Sequence, residues 1–300
     1  MLDNIQLLFD APLLTTQLLL DGVLIGAIFA LAAYGMALVW GVTNIINIVQ
    51  GEFVMLGGYV TYQLYVWGAH PFLGIPVAAA VLFVVGYLAY RTVIFRVANQ
   101  DLFISLLATF GLSILFQQLM NQIWSGNVQS VDSGLDTWYL FDFTVTVAQV
   151  KVLAFAVSAV IAVLLVIFLK RSRLGQAIRA TAQNPQAARV LGIDTDRVYA
   201  MTYAINAALC GAAGSLVVMA YTIHPYAGLP FTVRSFMIVV TAGLGNLPGV
   251  IAAGLGLGAA ENIASFVLGA EHRIAFVFGL LVVILVARNA WLGRHRKYLK

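Results

Sequence analysis

Long apolar segments, most of them long enough to cross a membrane as a helix, follow one another through the 300-residue chain. A transmembrane helix needs roughly 20 apolar residues at about 1.5 Å of rise each. The pattern therefore predicts membrane-spanning helices through most of the chain. The predicted spans cover residues 17–40, 73–95, 101–123, 152–169, 199–221, 250–268 and 274–291.

Two more apolar segments are irregular. In residues 41–67, polar side chains at Asn44, Asn47, Gln50 and Glu52 fall within nine positions and have glycines nearby. A charge at mid-bilayer costs roughly 2.5–3.5 kcal/mol on insertion scales, so the carboxylate should not face lipid. The pattern favours a broken or re-entrant element, and the alternative is a helix that begins at the membrane interface.

The second irregular segment, residues 231–244, is short for a span and carries Arg234 near its start. We therefore predict an all-α, polytopic integral membrane helix bundle that forms a single domain over residues 1–300. It should have eight or nine transmembrane segments, of which one or two are broken or re-entrant.

Small residues recur at helical spacing in two of the spans. Gly22, Gly26 and Ala30 share one helix face, and Gly254 and Gly258 share another. Such seams allow neighbouring helices to approach closely. The alternative is that glycine is simply frequent in membrane helices.

The composition supports a membrane protein and limits the available chemistry. Hydrophobic residues make up 62% of the chain and charged residues 9%, against about 25% charged in soluble domains. The one cysteine, Cys210, excludes an internal disulfide framework and a cysteine-based metal site. The chain has no GxxxxGK[ST] or HExxH motif, so we predict no catalytic residue and no metal site.

The distribution of cations predicts which loops are cytoplasmic. Arg91, Arg96, the basic stretch 170–197 and the basic tail 292–300 should be inside. The loop 124–148, with Asp132, Asp136 and Asp142 before its end, should be periplasmic. This orientation leaves the N-terminus outside.

The stretch 170–197 contains a short helix with clear start and stop residues. Asn184 is a suitable N-cap, Pro185 fits the first helical position, and Gly192 suits the position after the end. Asp194 should cap the next helix, with Ile193 packing onto it. A small helix with an exposed face of alanines favours docking to another protein, and a solvated connector is the alternative.

Glu261 lies in the outer half of its span and has two interpretations. It could pair with Arg234 or extend to the interface as a structural residue, or it could serve transport. A proton-driven carrier is weakly supported, because the chain lacks a series of carboxylates along one pathway. Two other classes are alternatives. One is a secondary carrier with paired broken elements at 44–58 and 244–249, and the other is an intramembrane enzyme.

Three blocks resemble one known family. They are GQAIRATAQNPQAARVLGID (175–194), NIINIVQGEFVMLGGY (44–59) and AGLGNLPGVIAAGLGLGAAE (242–261). Together they are similar to signatures of the branched-chain amino acid permease family of bacterial ABC importers. One departure is Gln50, since the family often has histidine before this glycine, and a role in sensing pH is therefore in doubt. Permeases that resemble this family also carry urea or short amides.

The resemblance implies a non-enzymatic permease of the bacterial inner membrane that works in an assembly. Its partners would be two cytoplasmic ATP-binding subunits, a second homologous permease in a heterodimer or homodimer, a periplasmic substrate-binding protein and membrane lipid, without nucleic acid. This chain would bind no cofactor, because ATP and Mg²⁺ would sit on the partner subunits. Residues 184–192 would be the coupling helix.

The expected site residues form two groups. Those for ATPase coupling are Arg179, Ala180, Asn184, Pro185, Ala188, Arg189, Gly192 and Ile193. Those for the translocation path are Asn44, Asn47, Gln50, Glu52, Asn206 and Glu261.

Overall fold

The computed structural model describes residues 2–97, 102–140, 145–243 and 245–296. Asp142 of the predicted periplasmic loop and residues 297–300 of the predicted basic tail lie outside the described part. The chain is a helix bundle with one small hairpin. Its helices are α1 (Leu2–Asp10), α2 (Pro12–Thr43), α3 (Gln50–Val66), α4 (Gly74–Ala89), α5 (Phe95–Val97), α6 (Leu102–Trp124), α7 (Gln149–Arg171), α8 (Arg173–Gln183), α9 (Pro185–Val190), α10 (Thr195–Ala220), α11 (Gly228–Ala242), α12 (Leu247–Leu268) and α13 (Arg273–Arg296).

The predicted fold class is confirmed. Within the described residues, seven helical segments are long and apolar enough to cross a membrane. One of them is continuous from Pro71 to Val97, because a π-helical turn at Tyr90–Ile94 joins α4 to α5. The helices α3 and α11 have 17 and 15 residues and fall short of the roughly 20 residues of a typical span. The eight or nine predicted segments thus correspond to seven full-length helices and two shorter ones, which we call the half-length helices.

Two helices form the centre of the bundle, since α2 and α10 are almost entirely buried. The helices α12, α7 and α11 pack around α2, whereas α4 and α3 pack around α10. The two predicted small-residue seams contact each other between α2 and α12. A Cβ on Gly26 would lie 2.6 Å from the Gly254 carbonyl oxygen, and one on Gly22 would lie 2.6 Å from the Gly258 carbonyl oxygen. Only glycine permits this spacing of the two backbones.

The predicted break after the first span is present. The helix α2 ends at Thr43, the cap residue Asn44 has a φ of +54°, and residues 44–47 are not helical. The chain then folds back along α2, because Gln50 Nε2 donates to the Ala32 carbonyl oxygen over 2.7 Å. Ala32 lies eleven residues before Thr43, which is about 16 Å of helix. Thus α3 begins deep inside the bundle, and the alternative of a helix starting at the interface is wrong.

Two elements were not expected from the pattern. The short helix α1 precedes the first span, and a hairpin lies in the predicted periplasmic loop. Its strands β1 (Thr137–Leu140) and β2 (Val145–Ala148) are antiparallel, with Thr137 opposite Ala148. Aromatic and β-branched residues dominate both strands, which favours pairing even in a connecting loop.

Candidate functional site

The two half-length helices begin side by side in the interior. The backbone N–H of Gly51 donates to Thr232 Oγ1 over 2.8 Å, and that hydroxyl donates to the Ile48 carbonyl oxygen over 3.0 Å. From this point α3 runs towards the predicted outer side and α11 towards the predicted cytoplasmic side. The positive ends of both helix dipoles therefore lie at one place.

Glu52 occupies this meeting point and is 1% exposed. Its Oε1 accepts hydrogen bonds from Ser113 Oγ over 3.2 Å and from Gln117 Nε2 over 3.1 Å, both on α6. Its carboxylate also lies against Gly228, the first residue of α11, where a Cβ would be 2.6 Å from Oε2. Within the described residues, Oε2 has no hydrogen-bonding partner. The carboxylate is thus held by α3, α6 and α11 with one oxygen unused.

Ser113 and Gln117 were not assigned to the site from the sequence. They lie four residues apart on α6, so both face α3. The available indication was a polar pair at helical spacing inside an apolar span.

Asn47 and Gln50 form a second set of contacts next to Glu52. The Tyr203 hydroxyl donates to Asn47 Oδ1 over 3.0 Å, and Asn47 Nδ2 lies 3.5 Å from Gln50 Oε1. Asn206 is fully buried one turn beyond Tyr203, and its Oδ1 lies 3.7 Å from the Cys210 sulfur. Its Nδ2 is unpartnered within the described residues. We call this group the central polar cluster, which comprises Asn47, Gln50, Glu52, Tyr203 and Asn206.

Both ends of the Gln50 side-chain amide make contacts in the interior. Its amide nitrogen donates to a helix carbonyl, and its oxygen faces the Asn47 amide. An uncharged amide therefore supplies both a donor and an acceptor at this position.

Glu261 belongs to a separate buried ion cluster. Arg234 donates from Nη2 to Glu261 Oε1 over 2.5 Å and from Nε to Glu261 Oε2 over 3.0 Å. Arg273 Nε also donates to Oε1, over 2.6 Å. The Arg234 guanidinium also sits over the rings of Phe29 and Phe231, 4.9 and 5.2 Å from their centroids. The expected pairing with Arg234 is present, and Arg273 was missed. The cluster joins α11, α12 and α13.

Asn44 is placed apart from the other expected path residues. It is exposed at the end of α2, where it lines a cavity together with Trp40 and Arg179. Its left-handed conformation ends the helix, so its first role is structural.

The predicted capped helix is present as α9. Asn184 Oδ1 accepts from the Ala187 N–H over 3.0 Å, and Gly192 has a φ of +83°. Asp194 Oδ1 likewise accepts from the Arg197 N–H over 3.0 Å, as expected for the cap of α10. The helix and both of its predicted boundaries therefore follow from local sequence.

The expected exposed face of alanines is wrong for Ala188, which is 2% exposed and faces inward. The outward residues are instead Val190 and Leu191, which are 87% and 79% exposed. We call these two residues the apolar tip. Arg189, beside them, is anchored through Nε to Thr195 Oγ1 over 2.6 Å and lies 3.7 Å from Asp196.

The remaining expected coupling residues flank this tip. Arg179 is exposed, Ala180, Pro185 and Ile193 are half-buried, and the Arg179 side chain reaches the Lys170 carbonyl oxygen over 3.4 Å. Within the described residues, no group of three or more histidine, cysteine or acidic side chains could hold a metal ion.

The chain combines full-length spans with two half-length helices, and a buried polar cluster lies where the half-length helices meet. This architecture is that of a polytopic transport permease. A model of the family described as "branched-chain amino acid transport system / permease component" matches residues 18–287. The chain belongs to this family.

Individual relatives agree with the family match. The high-affinity branched-chain amino acid transport system permease proteins LivH of Escherichia coli K12 and BraD of Pseudomonas aeruginosa are each 31% identical, covering 93% of this chain and 95% of the relative. A probable LivH of Methanocaldococcus jannaschii is 27% identical over 90% of this chain and 88% of its own length. Among solved structures, PsaBC from Streptococcus pneumoniae in complex with Fab has a TM-score of 0.42 and 13% identity, covering 92% of this chain and 94% of that chain.

Proposed function

We propose that this chain is the permease subunit of an ATP-driven importer of branched-chain amino acids in the bacterial inner membrane. The observation that carries the proposal is the family match over residues 18–287. Relatives of nearly the same length are named as permeases for these substrates. Transport, and not catalysis, is the role of this subunit.

The translocation path is proposed to pass the central polar cluster. Interrupted backbone at membrane depth is tolerated only where it is buried in protein or lines a cavity, and in transporters such interruptions mark the substrate site. A path with few polar groups suits an apolar amino acid. Asn47, Gln50, Glu52 and Asn206 supply those groups, while the contacts of Glu261 favour a structural role for it.

Energy for the cycle is proposed to come from two cytoplasmic ATP-binding subunits that carry ATP and Mg²⁺, so that this chain binds no cofactor. A second homologous permease, in a heterodimer or homodimer, and a periplasmic substrate-binding protein complete the assembly. A ligand shifts a conformational equilibrium only through different affinities for the two states. The partners must therefore bind the two states of this chain differently.

The apolar tip is the proposed contact with an ATP-binding subunit. Burying a large aliphatic side chain contributes about 1.5–3 kcal/mol, and Val190 and Leu191 are both exposed at the end of one short, capped helix. Asn184 and Gly192 fix the ends of that helix, and Arg189 ties it to α10. A movement of the tip would therefore be passed on to α10, because the segment that carries the tip is already ordered.

Leucine uptake by proteoliposomes tests the proposal. The chain reconstituted with its ATP-binding, permease and substrate-binding partners should take up leucine only with internal ATP. Urea and acetamide serve as competitors, and uptake of either in preference to leucine would reassign the substrate.

The paired half-helices α3 and α11 are also the arrangement expected of an ion-coupled carrier. The same vesicles containing the chain alone, under a sodium or proton gradient, distinguish the two functions. Leucine uptake without any ATP-binding subunit would overturn the importer proposal.

A further inference from the structure

A cavity of about 640 Å³ lies at the end of α2 that is predicted to be cytoplasmic. The helices α2, α7 and α8, the start of α9 and the turn before α12 enclose it. Its lining includes no residue of the central polar cluster. Its volume falls within the range of ~300–1,000 Å³ that is typical of ligand sites.

The inner walls of this cavity are apolar. Leu38 and Val42 come from α2, Val166 and Leu169 from α7, and Ile178 from α8. Such walls suit a hydrocarbon chain and offer little to a soluble polar metabolite.

The mouth of the cavity is cationic. Lys170 and Arg179 line it, both are exposed, and Arg179 Nη2 lies 3.4 Å from the Lys170 carbonyl oxygen. This contact holds the guanidinium beside the last turn of α7, which also carries Lys170. No acidic side chain lines the cavity within the described residues, so the two positive charges are free to attract an anion.

The position of the cavity relates it to the membrane. The adjoining helix α7 exposes Val160, Val163, Leu164 and Ile167, a face suited to lipid. Basic pockets between transmembrane helices on the cytoplasmic side recognise anionic lipid headgroups. A cavity with a cationic mouth and apolar walls at this level matches an inner-leaflet lipid in charge and polarity.

We propose that this cavity binds one anionic phospholipid of the cytoplasmic leaflet. Lys170 and Arg179 hold its phosphate, and one acyl chain lies along the apolar walls between α2 and α7. The lipid would then contact the spans and α8 at once, which stabilises the orientation of the segment that carries α9. Lipid binding is independent of which solute the permease carries.

Native mass spectrometry of the purified chain tests this site. With phosphatidylglycerol and phosphatidylcholine in equal amounts, the wild type should retain one phosphatidylglycerol. The double variant Lys170→Gln/Arg179→Gln should bind it about 30-fold more weakly, or about fivefold per cation. Both side chains are exposed, so the variant should fold.

Arg171→Gln/Arg173→Gln is the matched control, because it removes the same charge from exposed positions that do not line the cavity. Unchanged binding by this control supports a defined site. Equal losses in the two double variants would overturn the proposal in favour of diffuse attraction to the basic stretch.

A second variant tests the acyl chain. Ala182→Trp places a large side chain at the cavity wall without altering the cations. It should weaken phosphatidylglycerol binding, whereas unchanged binding would exclude an acyl chain in the cavity. Displacement of the lipid by inorganic phosphate at similar concentration would show a site for free phosphate and would also overturn the proposal.

Discussion

Glu52 is a buried carboxyl group held between two helices that begin beside it. It lies in the first turn of α3 and against the first residue of α11, so two helix N-termini face it. Ser113 and Gln117 satisfy one of its oxygens. Within the described residues, the other oxygen remains an unpaired acceptor at the point where the two half-length helices begin.

We expect Glu52→Gln to lower leucine uptake about tenfold while the protein still folds. The amide keeps the size of the side chain but loses the charge that the two helix N-termini stabilise, an effect of up to ~2 kcal/mol. Uptake and thermal unfolding are measured on the same preparation. Ser113→Ala is the comparison. It removes one hydrogen-bond donor to Glu52 and should lower the free energy of unfolding by about 1 kcal/mol. Unchanged uptake by Glu52→Gln would remove Glu52 from the path.

Glu261→Gln should destabilise the fold strongly. Removing one partner of a buried ion pair costs about 3–5 kcal/mol, because Arg234 and Arg273 are left without their carboxylate. Thermal unfolding in detergent measures the loss. Glu271→Gln is the control, since that side chain is exposed and its contact with His272 is long, at 3.8 Å. The triple variant Arg234→Met/Glu261→Leu/Arg273→Met removes all three charges and should recover much of the stability. Failure to do so would indicate a further role for the charges.

The contact between α2 and α12 is the clearest case in which element packing follows from sequence. Gly26→Leu should separate the two helices, because its Cβ would already meet the Gly254 backbone. Overpacking of this kind costs about 1–3 kcal/mol or more. The melting temperature of Gly256→Leu is the comparison, since Gly256 lies on the partner helix α12 and has open space beside it. Equal stability of the two variants would show that the seam is dispensable.

Elements with local determinants could be predicted, and those fixed by distant contacts could not. The capped helix α9 and the break at Asn44 follow from residues a few positions apart, as do the two glycine seams. The inward position of Ala188 and the exposure of Val190 and Leu191 depend on how α9 lies on α8 and α10. The contact of Gln117 with Glu52 joins residues 65 positions apart, so spacing along the chain gave no indication of it.

At the scale of the whole molecule, burial decreases outward from α2 and α10. The outer helices α6 and α13 pack loosely and expose large apolar side chains such as Phe103, Leu107, Phe278 and Val282. Lipid or a second permease must cover these faces, because in water they would favour aggregation. The half-helices α3 and α11 lie between this outer layer and the central pair.

Cysteine labelling can establish the orientation of the whole bundle in its membrane. Cys210 is the one natural cysteine and is fully buried, so a membrane-impermeant maleimide should leave the natural chain unlabelled. When the chain is produced without its ATP-binding subunits, Leu191→Cys should react in inverted membrane vesicles and not in intact cells with a permeabilised outer membrane. Trp138→Cys, exposed in the hairpin, should show the opposite pattern. Labelling of Leu191→Cys from outside would reverse the proposed topology and would remove the apolar tip from the reach of any cytoplasmic ATP-binding subunit.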